Sequence, residues 1–265
     1  MKTELYAGFL KSNSSVYLYC FAGFIIMSLT AMLPVEFISY KESDTFAWFW
    51  YSVTESGSFI GGMIIYILMM SYLTIHFKRS GRKFSGLILF YSIVFFTFVF
   101  SAGLNEFYLK EKIQKPRPNQ LFLTEKGYID IDSKTFLQMP GNGKKEYLEN
   151  KFRKTGIIPE KIYPPVFNNW ITDTGFSMPS GHALLSYFFG TVICFVIYKT
   201  FKKGNRIYCF IPLVWCLLVS LSRVITGMHF GADVTVGSFI GMLSGFAVIS
   251  LPVTKEIFQV QKIKI

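Results

Sequence analysis

Residues 84–105, FSGLILFYSIVFFTFVFSAGLN, decide the fold. From Phe84 to Asn105 there is no charge and no proline. The run matches the ~20 apolar residues that a helix needs to cross a bilayer core. Five more largely apolar runs lie on either side: Val16 to Phe37, Ser56 to Phe77, His182 to Tyr198, Ile207 to Ser222 and Val234 to Val253. The fifth of the six in chain order, Ile207 to Ser222, is short, and Arg206 and Arg223 at its ends are expected to snorkel toward the interface. The first is read as a retained helix and not a signal peptide, because its apolar core is long and it meets Pro34 and Glu36 without a small-residue cleavage site. Composition agrees: 51% of the chain is hydrophobic and only 16% charged, against about 25% charged in soluble domains. The expectation is an all-α integral membrane protein with six transmembrane helices.

Charge sets the orientation. Lys2 and Lys11, then Lys78, Arg79, Arg82 and Lys83, then Lys199, Lys202, Lys203 and Arg206, and finally Lys255, Lys262 and Lys264 all fall on one side of a six-span chain. The positive-inside rule makes that side the cytoplasm, with both termini there. The loop with Lys41, Glu42, Asp44 and Glu55, the long third loop and the tight fifth loop then lie outside. Much of the net charge of +11 lies in these short loops and so does not point to nucleic acid; the basic surface suits anionic lipid. Trp48, Trp50 and Tyr51 read as an outer aromatic belt, with a place along a lipid entry path as the alternative. His76 reads as an interface residue.

Three parts follow: residues 1–109 with three spans, a proline-punctuated extracytoplasmic insertion at 110–179, and residues 180–265 with three spans. Within the insertion, Lys144 to Lys154 suits a short basic helix with Tyr147, Leu148 and Phe152 as its apolar positions. Such a helix either rests on the membrane or packs within the insertion. Gly237, Gly241 and Gly245 form a small-residue stripe fit for close helix packing, and Gly57 and Gly61 read the same way. Cys20, Cys194, Cys209 and Cys216 all sit in apolar runs and read as filler. There is no CxxC or Cys/His cluster for zinc and no carboxylate cluster for a hard cation.

Polar residues near the ends of spans are costly and so informative. Lys110-Glu-Lys-Ile-Gln-Lys-Pro-Arg117-Pro118 follows the third span, Pro179-Ser180-Gly181-His182 opens the fourth, and Ser222-Arg223 through His229 to Asp233 joins the fifth and sixth. Topology puts all three on the outer side. Lys110, Arg117 and Arg223 supply cations suited to phosphate. Ser180 and Gly181 stand at a helix start, whose free N–H groups favour anions. His229 and Asp233, four apart, share a face if that stretch is helical, and the carboxylate then fixes the imidazole tautomer of a nucleophile. His182 has no such partner in sequence, which suits a general acid. Lys112 and Lys115 read as membrane anchors, Asp173 as a loop or cap residue with a supporting place beside the site as the alternative, and Glu106 as a candidate partner for a site cation.

These segments resemble the three signature motifs of the type 2 phosphatidic acid phosphatase family: K-x6-R-P, P-S-G-H and S-R-x5-H-x3-D. Every specified position is matched, in order, and the resemblance covers Phe84 to Val253. It implies that His229 attacks phosphorus to form a phosphohistidine, that Asp233 orients it, and that His182 protonates the leaving group. It implies that Lys110, Arg117, Ser180, Gly181 and Arg223 bind the phosphate, with no metal or cofactor. Thr174-Gly175-Phe176, Gly227-Met228-His229 and the long insertion are similar to bacterial members acting on phosphatidylglycerol phosphate, other lipid phosphates and undecaprenyl pyrophosphate. The partners implied are a lipid phosphate or pyrophosphate and the bilayer, in a bacterial inner membrane with a periplasmic site; no protein partner is evident. A phosphotransferase passing phosphate from a lipid pyrophosphate to another lipid is the alternative. A transporter is disfavoured, since its ionisable groups would gather near the midplane.

Overall fold

The computed structural model describes residues 11–33, 44–80, 85–156 and 162–258, with Gly8 and Pro159. Pro34, Glu36, Lys41, Glu42, Lys2, Arg82, Lys83, Lys262 and Lys264, on which parts of the sequence reading rest, lie outside the described residues. Among the described residues, six helices are long and apolar enough to cross a membrane. They are α1 (Ser14–Ala31), α3 (Phe59–Arg79), α4 (Ser85–Ile113), α9 (Gly181–Thr200), α10 (Phe210–Ile225, prefixed by a 3-10 turn at Lys203–Cys209) and α11 (Gly231–Ser250).

Helix α9 is the axis of the bundle: 72% of its apolar window is buried, against 22% for α1. Its closest partner is α11, and the glycine stripe explains why. A Cβ at Gly237 would stand 2.3 Å from the Ser180 carbonyl oxygen, and one at Gly241 2.0 Å from that of Leu184. The stripe therefore serves packing within the bundle, as small residues do where backbones approach. Gly57 belongs to the turn before α3, where it packs against Val219.

Side-chain contacts tie the basic ends together. Lys199 Nζ donates to Ser12 Oγ at 3.2 Å, Tyr72 Oη lies 2.9 Å from Thr200 Oγ1, and the Phe77 and Phe258 rings meet edge to face. Lys78, Arg79, Arg206 and Lys255 share this end, opposite the three motifs. His76 is here too, stacked on Tyr72. The four cysteines are free and buried.

Three features depart from the sequence reading. First, α4 does not stop at Asn105 but runs to Ile113, with a π-helical turn at Asn105–Leu109. Residues five apart on an α-helix face about 140° away from each other; a π turn closes between such residues. Asn105 and Lys110 are thereby brought to one face, and Lys110 becomes part of the span instead of the loop. Second, a helix not foreseen, α2 (Asp44–Ser56), packs on α10 through hydrogen bonds from Trp215 Nε1 to Ser56 Oγ at 3.0 Å and between Thr54 Oγ1 and Ser222 Oγ at 2.8 Å. It is too short to span and so carries no membrane signal. Trp48 is exposed on it, whereas Tyr51 packs on the insertion. Third, Arg223 does not snorkel: its head is buried in the site.

The segment between α4 and α9 folds into α5 (Pro118–Glu125), α6 (Ser133–Gln138), α7 (Gly141–Thr155) and α8 (Pro164–Thr172) around its own core of Leu123, Phe136, Leu148, Phe152, Phe167 and Trp170. Leu148 and Phe152 of the basic helix face this core, so α7 packs within the insertion. The same core takes in Met228 from the loop before α11. Trp170 Nε1 donates to the Thr226 carbonyl at 2.8 Å and Asn119 N–H to that of Gly227 at 3.0 Å. The insertion thus grips the loop that carries His229.

Candidate active site

At the motif end of the bundle lies a cavity of about 430 Å³, within the range of small-molecule sites. His182, His229, Lys110, Gly181, Asp173 and Asn105 supply its polar lining, and Val99, Ala102, Phe107, Leu184 and Leu185 from α4 and α9 its apolar lining. The two histidines therefore face one space, although they are far apart in sequence.

Lys110 is buried, and its Nζ donates to Glu106 Oε2 at 2.6 Å, one turn earlier on α4. Glu106 is thus the partner of a site cation. Arg117 and Arg223 do not line the cavity; they stand behind Asp173, which does. Arg117 is fully buried, donating from Nη1 and Nη2 to the two Asp173 oxygens at 3.0 and 2.7 Å and from Nε to the Gly175 carbonyl at 2.7 Å. Arg223 Nη2 donates to Asp173 Oδ2 at 3.3 Å and Nη1 to Thr54 Oγ1 at 3.4 Å. Asp173 fills both places that the sequence suggested: it caps α8, its N–H donating to the Asn169 carbonyl at 2.9 Å, and its carboxylate bridges both arginines beside the site. Enclosure acts to raise its pKa, but Arg117, Lys110 and Arg223 outweigh that and hold the carboxyl well below the usual range. Behind this loop, Lys144 of α7 is buried against the Phe176 ring and donates to Gln120 Oε1 at 3.2 Å, while Gln120 Nε2 donates to the Thr174 carbonyl at 2.9 Å. Burial, with Arg117 nearby, pushes Lys144 down to about 8.

Three buried polar atoms here have no hydrogen-bond partner among the described residues: Arg223 Nε, Ser180 Oγ and Asn105 Oδ1. An unmet buried polar group costs about 1–3 kcal/mol, and more when charged. Arg223 Nε and the Ser180 hydroxyl are donors that an anionic ligand could satisfy, whereas Asn105 Oδ1 is an acceptor. Ser180 is the residue just before α9, and its own N–H donates to the Asp233 carbonyl at 3.0 Å.

His229 and Asp233 are placed differently from the sequence expectation. His229 precedes α11 and is not helical; its N–H donates to the Arg223 carbonyl at 3.0 Å. Asp233, in the first turn of α11, bends back so that Oδ2 accepts the Phe230 N–H at 2.9 Å, as capping carboxylates do. The direct separation from His229 Nδ1 to Asp233 Oδ2 is 3.9 Å, too long for a hydrogen bond. Ser177 stands between, with Oγ 2.5 Å from Asp233 Oδ2 and 3.3 Å from His229 Nδ1. Lys115 is also corrected: it is not an anchor but donates to Asp233 Oδ1 at 2.6 Å. Burial first, then Arg117, Arg223, Lys110 and His182, push the His229 pKa well below its ordinary value. The ring is neutral at pH 7, the form a nucleophile requires.

Sequence reasoning passed over Ser177, Asn105 and Thr54. Ser177 offered a faint signal, a small polar residue two places ahead of the Pro179 motif; Thr54 offered none.

A sequence model of the PAP2 superfamily matches residues 85–257, well over half of the chain. Phosphatidylglycerophosphatase B of Haemophilus influenzae is 26% identical over 213 residues, 78% of this chain and 83% of that protein. The protein of the same name from Escherichia coli is 27% identical over 134 residues, 50% of this chain and 49% of its own length. Among solved structures, a transmembrane PAP2-type phosphatidylglycerolphosphate phosphatase from Bacillus subtilis aligns over 98% of both chains with a TM-score of 0.52 at 19% identity, a likeness of fold.

Proposed function

The chain belongs to the PAP2 superfamily, and on that premise we propose that it is a bacterial membrane lipid phosphatase working through a phosphohistidine on His229. The observation that carries the reading is the single cavity faced by both histidines and Lys110, beside the buried and unpartnered Arg223 Nε and Ser180 Oγ. Few ligands other than a phosphoryl group would call for cations, helix-start donors and two imidazoles together.

In the proposed reaction, Lys110 and the Gly181 N–H hold the phosphate oxygens from the cavity wall, the unpartnered Arg223 Nε and Ser180 Oγ add donors from just behind it, and Arg117 acts through Asp173; together they stabilise the charge that develops. His229 Nε2 attacks phosphorus; the P–N bond forms as the P–O bond to the lipid breaks. His182 gives its proton to the departing oxygen. Water then attacks the phosphohistidine and passes a proton to His182, freeing inorganic phosphate and restoring both rings. Asp233 supports His229 throughout. No step calls for a metal.

The apolar lining from α4 and α9 supports lateral entry, with the headgroup in the cavity and the acyl chains in the bilayer. The gathering of basic residues at the opposite end supports cytoplasmic termini and a periplasmic site in the inner membrane. Phosphatidylglycerol phosphate, phosphatidic acid and undecaprenyl pyrophosphate are the substrates proposed, the first resting on the names of the bacterial relatives.

The full chain, purified in detergent with EDTA present, is expected to release inorganic phosphate from these lipids. His229→Ala is expected to lose at least ~10⁴-fold while keeping its elution profile and helical circular dichroism. Retained turnover in that variant overturns the mechanism. Transfer of label to an added acceptor lipid in place of water would identify a phosphotransferase instead.

A further inference from the structure

We infer that Ser177 is a positioning residue for the reaction, a hydroxyl relay through which Asp233 sets the tautomer and orientation of His229. The inference rests on His229 being the nucleophile.

Hydrogen bookkeeping around Asp233 carries it. Oδ1 accepts from Lys115 Nζ at 2.6 Å. Oδ2 accepts from the Phe230 N–H at 2.9 Å and from Ser177 Oγ at 2.5 Å. The carboxylate is fully buried, both its oxygens already accept hydrogen bonds, and it stands 3.9 Å from the imidazole. A serine has one hydroxyl hydrogen. Once that hydrogen is given to Asp233, Ser177 Oγ faces His229 Nδ1, 3.3 Å away, as an acceptor only. Nδ1 must then carry the ring hydrogen, which leaves the lone pair on Nε2. When Nε2 bonds to phosphorus the ring becomes cationic, and Nδ1–H remains on the serine oxygen with the Asp233 charge just beyond it. No proton need leave the ring.

The backbone holds the relay in place. The Ser177 N–H donates to the Lys115 carbonyl at 2.8 Å, so the strip carrying the serine is fastened to the strip carrying the lysine that neutralises Asp233. Three residues on, the Ser180 N–H donates to the Asp233 carbonyl at 3.0 Å. Ser177 is itself fully buried, so water does not take its place.

The test is steady-state phosphate release by the full chain in detergent, with phosphatidic acid as the probe. Ser177→Ala is expected to lower kcat about 10- to 100-fold, the loss of one orienting hydrogen bond, with KM within about twofold because no phosphate contact is touched. Ser177→Thr, which keeps the hydroxyl, should recover most of kcat. Asp233→Asn acts along the same line, so Ser177→Ala combined with Asp233→Asn should fall no further than the worse single variant. A merely structural serine would give losses that multiply, and multiplied losses overturn the relay, as does a wild-type kcat in Ser177→Ala. If Ser177→Ala does not fold, Ser177→Cys, a weak acceptor, takes its place in the cycle. His229→Ala separates the two claims. Activity there refutes the nucleophile assignment, whereas an inactive His229→Ala beside a fully active Ser177→Ala refutes the relay alone.

Discussion

Asp173 and Asp233 are both held by cations at the same end of the bundle, yet they live under opposite conditions. Asp233 is closed off, with no exposed side-chain surface, and its hydrogen-bond partners are Lys115, Ser177 and a backbone N–H. Asp173 is 41% exposed, opens onto the cavity and bridges two buried arginines. The first environment suits a group whose charge must act on another residue and never on the substrate. The second suits a group that spaces the two guanidiniums proposed to act on phosphate and that faces the cavity itself. Burial, more than residue type, separates their roles.

Substitutions sharpen the contrast, and the largest effect is expected at the closed site. Asp233→Ala leaves Lys115, Ser177 and the Phe230 N–H without their acceptor. It is expected to cost about 3–5 kcal/mol of stability, the usual cost of breaking a buried pair, and to lower kcat by ~10³-fold or more, read from thermal unfolding in detergent and phosphate release. Arg223→Ala, on the anion-binding side, should lower kcat/KM by about 10²–10³-fold, the scale for one transition-state donor. Asp173→Asn keeps the shape but weakens the bridge, so KM should rise by about tenfold with kcat less affected. If KM rises for Asp233→Asn and kcat falls for Asp173→Asn, the division of labour drawn here is wrong. Lys115 is 31% exposed, so Lys115→Met should cost only a few-fold in kcat.

Acidity gives the mildest test. His229 is depressed in the fold, chiefly by burial. Its neutral form therefore persists as pH falls through the ordinary histidine value of about 6.5, and loss of activity through its protonation should begin only below that. The sign for stability is the reverse. Below about 6.5 the unfolded chain takes up a proton that the folded site refuses, so acidification favours unfolding. A unfolding midpoint that rises between pH 7 and 5 in the wild-type protein but not in His229→Ala would contradict this.

Much of the fold was legible because lipid imposes a length and a composition on every crossing. The spans from Phe84, His182 and Val234 needed no tertiary information, only ~20 residues without charge. The motifs were legible because Lys110, Arg117, His182, Arg223, His229 and Asp233 sit where polar groups are expensive. Helix α2 was hidden because Asp44–Ser56 is aromatic but short. The π turn was hidden because nothing local distinguishes Asn105–Leu109 from ordinary helix.

By itself, the chain order of residues determined how many times this protein crosses a membrane, which end of the bundle collects its polar groups, and which side chains those are. Only the tertiary structure decided who meets whom: Lys115 with Asp233 across 118 positions, Ser177 with Asp233 across 56, and Arg117 with Asp173 across 56. Hydropathy acts residue by residue and survives in a one-dimensional reading, whereas a hydrogen bond exists only when donor and acceptor approach within about 3 Å.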